Sequence, residues 1–261
     1  MTDAHGGLAL REILARNASP LTLDGTRTYV VGRRRVVVID PGPAASPHLE
    51  AVAAAVSGAR VEAVASTHAH EDHAGGAALL AERLAAPLRS RAAGTLGDGD
   101  RLETDAGALI AIATPGHTPD HVAFHWPEGG AVFVGDLMLG GLETALVAAP
   151  EGDLGAYLAS LERVRALGAR VLYPAHGPPF TDPEAALDAY ARHREERLRQ
   201  VLAALERGAA GVGEIVDVVY GAGLAADLRG AAAASVVVYL EHLEAAGRVE
   251  RDAGGRWRLA Y

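Results

Sequence analysis

The chain of 261 residues contains no cysteine, which removes disulfides, thiol nucleophiles and every thiolate metal site. Lysine is missing as well. All 24 basic residues are arginine, so neither a phosphate-cradling P-loop lysine nor a Schiff-base mechanism is available. No run approaches the roughly 18 uncharged apolar residues that a membrane-spanning helix needs. The start, Met1-Thr2-Asp3-Ala4-His5, lacks a basic segment leading into an apolar one, so the chain reads as soluble and cytoplasmic, with no membrane partner. Positive charge is also in short supply: 33 acidic against 24 basic side chains give a net charge of −9, which sets the field of the whole molecule against a polyanion. What is present is hydrophobic residue, 49% of the chain, enough for one sizeable α/β domain and a small appendage.

Two β-branched runs, Thr28–Val31 and Val36–Ile39, flank Gly32-Arg33-Arg34-Arg35 and predict a hairpin whose charged tip is a solvated turn. A helix follows over 47–56, and Val61–Ser66 is a short strand running straight into His68. The spacing predicts a helix over 75–85, strands at 109–112, 122–124, 131–134 and 171–173, and a helix over 153–167 capped by Asp153 and ended by Gly168. Strands interleaved with helices indicate a layered α/β domain, residues 1–207, that includes a long helix over 183–207. Residues 208–261 read differently. Helical segments at 212–220, 225–229 and 231–246 and a hairpin around Gly254-Gly255 fit a winged-helix appendage.

The chemistry concentrates in Thr67-His68-Ala69-His70-Glu71-Asp72-His73, three imidazoles and two carboxylates in a row after an apolar strand. Buried imidazoles without a partner carry a large cost, so packing alone does not explain the cluster. In an extended segment His68 and His70 fall on one side, while Asp72 and His73 at a helix start face a neighbouring point. Further donors each follow an apolar strand: His117 in Pro115-Gly116-His117-Thr118, Asp136 in Val134-Gly135-Asp136, and His176 in Pro174-Ala175-His176-Gly177. Five histidines and two aspartates are suited to zinc, which typically keeps a position for water beside three protein ligands.

These residues resemble the metallo-β-lactamase-fold hydrolases, whose signature is His-x-His-x-Asp-His followed by three later ligand loops. The resemblance implies an αβ/βα sandwich. It also implies that His68, His70 and His117 hold one metal, that Asp72, His73 and His176 hold a second, and that Asp136 bridges them. Nearly the whole chain is similar to the lactamase-beta-2-like subgroup, which adds a C-terminal winged helix; its marks are Thr22–Tyr29, Thr114–His121, Gly135–Gly140 and Tyr173–Pro178. The chain departs from the subgroup at three positions. Arg27 stands where Asn is usual, Ala175 where Gly is usual, and Glu143 where a small residue is common before Thr144.

Zinc lowers the pKa of bound water from about 15.7 to about 7, so a hydroxide shared by two ions is available at neutral pH. The expected activity is therefore a binuclear zinc hydrolase acting on an ester, thioester or phosphodiester, with iron or manganese as alternative ions. Asp72 is the expected catalytic residue that orients the nucleophile and takes its proton, and His121 an expected donor behind the ligands or a proton shuttle. Glu143 and Thr144 are expected to line the substrate mouth. Two other activities follow from the resemblance, a single-stranded RNA endoribonuclease and a mononuclear-iron redox enzyme. DNA is not expected as a partner, because residues 231–242 carry no basic side chain to read bases. His5, His48, His193 and His242 are expected to be solvated or on helix surfaces, and His125 to be a packing or surface residue.

Overall fold

Strands that are apolar at both odd and even positions must be covered on both faces. The computed structural model, which describes residues 10–142, 144–221 and 223–260, meets that demand with two five-stranded sheets packed face to face. The first sheet contains, in spatial order, β1 (Leu10–Leu14), β2 (Arg27–Val31), β3 (Arg35–Ile39), β4 (Arg60–Ala65) and β5 (Leu88–Arg89). The second contains β6 (Arg101–Thr104), β7 (Gly107–Ala113), β8 (Val122–Trp126), β9 (Ala131–Gly135) and β10 (Val171–Pro174).

The pleat sorts the residues. Tyr29, Val31, Val37 and Ile39 point inward to meet Leu109, Phe124, Phe133 and Tyr173 between the sheets. Their neighbours Val30, Val36, Val38 and Val64 point outward under α1 (Ser46–Ala55) and α3 (Ala77–Arg83). On the opposite side Ala123, Val132, Val134 and Leu172 pack beneath α4 (Leu154–Arg165) and α5 (Pro183–Glu206). The result is the αβ/βα sandwich. The helix expected over 75–85 is found as α3, and a single turn that was not expected, α2 (Glu71–Ala74), precedes it. Strands β1, β5 and β6 went unpredicted; β1 and β6 are edge strands with half-exposed alternation, and β5 has two residues.

The C-terminal region contains α6 (Val212–Tyr220), α7 (Ala226–Ala245) and a hairpin of β11 (Val249–Arg251) and β12 (Trp257–Leu259). The segments expected at 225–229 and 231–246 are one continuous helix. Gly230 costs a helix about 1 kcal/mol relative to alanine, and burial of Val236, Tyr239, Leu240 and Leu243 offsets it. These side chains share one apolar cluster with Leu161 of α4, Leu187 of α5 and Trp257, so the C-terminal helices are packed onto the sandwich. Among the described residues no helix is long and apolar enough to cross a membrane.

Strand direction positions the site. β3 and β4 run parallel, as do β9 and β10, and the antiparallel steps from β9 to β8 to β7 bring β7 into the same sense as β9. The chain therefore leaves β3, β4, β7, β9 and β10 at one rim of the sandwich, and the segments that follow these strands carry Asp40, His68–His73, His117, Asp136 and His176.

Candidate metal centre

At that rim all seven donors expected from the sequence come together. Nε2 of His68 lies 2.9 Å from Nδ1 of His70, and Nε2 of His117 lies 3.1 Å from the same atom. In a second triplet, Nε2 of His176 is 3.2 Å from Nε2 of His73 and 3.2 Å from Oδ2 of Asp72. Asp136 stands between the triplets: Oδ1 is 3.3 Å from His73 Nε2 and 3.4 Å from His176 Nε2, and Oδ2 is 3.8 Å from His117 Nε2. Glycine is required just before it. Gly135 has φ +51°, and a Cβ there would sit 2.7 Å from His121 Nε2 and 2.8 Å from the Thr67 side chain.

Each imidazole has one nitrogen turned outward to a partner. His73 Nδ1 donates to Asp40 Oδ2 at 3.0 Å, His176 Nδ1 to the Gly25 carbonyl at 3.1 Å, and His117 Nδ1 to the Leu146 carbonyl at 2.7 Å. His70 Nε2 donates to Glu151 Oε2 at 3.0 Å, and His68 Nδ1 donates to Thr67 Oγ1 at 3.1 Å. With a proton on the outer nitrogen, the inner nitrogen of every ring is the one that would offer its lone pair to an ion at the centre. Inner nitrogens 2.9–3.2 Å apart need either a shared proton or a metal cation among them. Tetrahedral zinc with Zn–N of about 2.0–2.1 Å sets neighbouring ligands about 3.3–3.4 Å apart. The donor set fits such an ion, as does the orphaned Oδ1 of Asp136, which is buried without a hydrogen bond among the described residues.

The acids and imidazoles compete for protons. Burial pushes His68 and His117 below the ordinary histidine range. Burial is also the largest single influence on His73 and pushes it down, yet Asp136 and Asp40 together outweigh it and hold this imidazole well above its usual value. Burial raises Asp136, and the surrounding His73, His176 and His117 reverse that and hold its carboxyl well below the carboxylate range. A carboxylate kept ionised inside a ring of basic nitrogens is what a cation site requires.

His121 is fully buried and stands outside the ligand ring. Its Nε2 accepts from the Asp136 backbone N–H at 3.2 Å, and its Nδ1 lies 2.8 Å from Thr114 Oγ1. Burial pushes its pKa down to about 3, so the ring is neutral. Thr144 is half-buried, with its hydroxyl donating to the Ala145 carbonyl at 3.2 Å, and Glu143 lies outside the described residues. Arg27 makes a two-pronged contact with Asp24, at 2.8 and 2.7 Å, and lies 3.0 Å from Glu12. It thereby braces the turn that offers the Gly25 carbonyl to His176.

Sequence reasoning passed over Asp40, although it follows Val36–Ile39 just as the recognised donors follow their strands. Asp40 is 2% exposed, accepts from the Thr67 N–H at 2.7 Å and hydroxyl at 2.9 Å, and sits at φ +49°, a conformation aspartate tolerates better than most residues. Glu151 and the Leu146 carbonyl had no signal in the sequence. His48, expected in solvent or on a helix surface, is buried, and its Nε2 is 2.8 Å from Thr28 Oγ1, which donates to the Asp40 carbonyl.

The Metallo-beta-lactamase superfamily profile matches residues 21–100 and 91–176. This chain belongs to that superfamily. The profile of the Beta-lactamase associated winged helix domain matches residues 212–257. Members of the superfamily are metal-dependent hydrolases. "Lactamase-like protein adaB" of Aspergillus niger is 35% identical over 208 residues, 76% of this chain and 64% of the relative, so the chain spans just under two thirds of that protein. "Atrochrysone carboxyl ACP thioesterase" of Aspergillus chevalieri is 34% identical over 228 residues, 80% of this chain and 72% of the relative. A metallo-beta-lactamase family protein from Thermus thermophilus shares the fold at a TM-score of 0.80 and 24% identity, over 96% of this chain and 98% of the other. The likeness of fold to that protein thus extends through the C-terminal helices.

Proposed function

We propose that this metallo-beta-lactamase superfamily chain is a binuclear zinc-dependent hydrolase whose substrate is an acyl thioester, within a wider range of esters and phosphodiesters. One observation carries the reading: five imidazoles pin their outer nitrogens to protein acceptors while five inner nitrogens and two carboxylates converge. His68, His70 and His117 would hold one ion and Asp72, His73 and His176 the other, with Asp136 between them. Nitrogen and oxygen donors of this kind suit zinc. When bound, two such ions would supply a water acidified to a pKa near 7 and a Lewis acid for the substrate oxygen.

The protein's own groups do the rest. Asp72 has its Oδ2 turned to His176 and a side chain 30% exposed, and in this reading it orients the attacking water and takes its proton. His121 works through Asp136. Both of its ring nitrogens are engaged inside the protein, which makes it a positioning residue rather than a shuttle. A thioester is favoured because a relative 34% identical is named a thioesterase, whereas the net charge of −9 opposes an RNA strand.

Metal analysis and a substrate panel test the reading together. After zinc supplementation the purified chain should carry about two ions and cleave a model acyl thioester faster than a phosphodiester or a lactam. Fewer than about one ion per chain would defeat the metal assignment, and a lactam or phosphodiester preference would defeat the thioester. An Asp72→Asn chain that kept both ions and full activity would remove Asp72 from the proton step.

A further inference from the structure

Arg194 is a buried cation, 3% exposed, on α5, and among the described residues no carboxylate forms an ion pair with it. Its guanidinium lies over the Tyr157 ring, 4.7 Å from the centroid, donates to the Tyr239 hydroxyl of α7 at 3.0 Å, and donates to the Ala145 carbonyl. Burying an arginine is costly, and the positions it connects are informative. Ala145 adjoins Leu146, whose carbonyl accepts from His117 Nδ1. Four residues on, the Ala149 N–H donates to the Ala234 carbonyl of α7 at 3.1 Å. Glu151 then meets His70, and the Asp153 N–H donates to the Gly116 carbonyl at 2.9 Å, beside His117.

Residues 145–153 therefore form a strap. Both outer-nitrogen partners that reach His70 and His117 come from it, and it is fastened by α5 and α7. The other triplet draws its partners, Asp40 and Gly25, from the ends of strands in the first sheet and its preceding turn. We propose that Arg194 is a positioning residue that lets the C-terminal helices set the geometry of the His68–His70–His117 subsite while leaving the Asp72–His73–His176 subsite alone. The subsite part rests on the binuclear reading above; the strap itself does not.

The test uses the full chain with two readouts. In the metal-free Arg194→Met chain, amide hydrogen exchange at Ala149 and Asp153 should rise at least tenfold, while the Thr67 amide held by Asp40 keeps its protection. In zinc titrations followed by calorimetry and by imidazole nitrogen NMR, one equivalent should weaken by about 10–100-fold, the range for losing an outer partner, with the affected signals those of His70 and His117. Tyr239→Phe, which removes one hydroxyl, should show both effects at smaller size and serves if Arg194→Met does not fold. Unchanged exchange at Ala149 and Asp153 in both variants would overturn the strap. Equal weakening of both equivalents, or of neither, would overturn its confinement to one subsite. If the parent chain takes no zinc while the variants show the rise in exchange, the strap stands and the metal reading is refuted.

Discussion

The two halves of the centre are held in different ways. His73 and His176 have side chains 0% and 1% exposed, and their outer nitrogens meet a buried carboxylate and a main-chain carbonyl beside rigid strands. His70 has a side chain 39% exposed, and its partner Glu151 is 54% exposed on a segment without regular structure. A carboxylate in a low-dielectric interior fixes its partner firmly, whereas an exposed pair is screened and worth little by itself. Each triplet has two buried members and one partly exposed one, so the halves differ in their outer partners: the half held by buried Asp40 is a preformed seat, and the half that relies on exposed Glu151 is the open, adjustable one. Two similar triplets of donors need not bind their ions with equal strength or on equal terms.

The sharpest way to break this comparison is Asp40→Ala. Three donors, the Thr67 N–H, the Thr67 hydroxyl and His73 Nδ1, lose their acceptor. Removing one side of such a buried pair costs about 3–5 kcal/mol. Denaturant unfolding of the metal-free chain should show that loss, and zinc titration should show the buried subsite weakened first. If stability is unchanged, the seat is not preformed by Asp40.

Glu151→Gln should do less. It keeps the shape and an acceptor but removes the charge opposite His70, so the expected loss is about tenfold in affinity at the open subsite, with unfolding unaltered. A drop in stability comparable to that of Asp40→Ala would abolish the distinction between the halves.

The smallest effect concerns the turn that serves His176. The hydrogen bond from Arg27 pulls the Asp24 carboxyl down from 3.8 to about 2. A lowered folded pKa contributes stability that is fully present above the unfolded value and lost as pH falls through the folded one. Arg27→Met should therefore be less stable than the parent at pH 5, with the deficit shrinking between pH 4 and pH 2. Since Asp24 is half-exposed, solvent screening keeps the deficit small. A deficit independent of pH would mean that Arg27 acts through packing.

The seven donors were legible because each follows a strand and the strands announce themselves by apolar, β-branched runs. Asp40 obeyed the same rule and was still overlooked, since a lone acid after a strand has no local companion to mark it. Glu151 was beyond reach: it meets His70 across 81 positions, and nothing in Pro150-Glu151-Gly152 distinguishes a partner from a solvated acid. His48 was misread because one polar residue on a short helix gives no clue to its orientation, yet His48, Leu49 and Val52 form the buried stripe of α1. Splitting α7 at Gly230 gave local propensity more weight than packing, and the core decided otherwise.

Because every donor hangs from one rim, the far rim can be rewritten without touching the chemistry. The turns at Gly58 and Gly168 feed the opposite ends of β4 and β10, and a Cβ at either would meet nothing within 4 Å. They are natural places to splice in a tether or a reporter tag, so that the protein can be anchored to a solid support with its catalytic mouth turned outward.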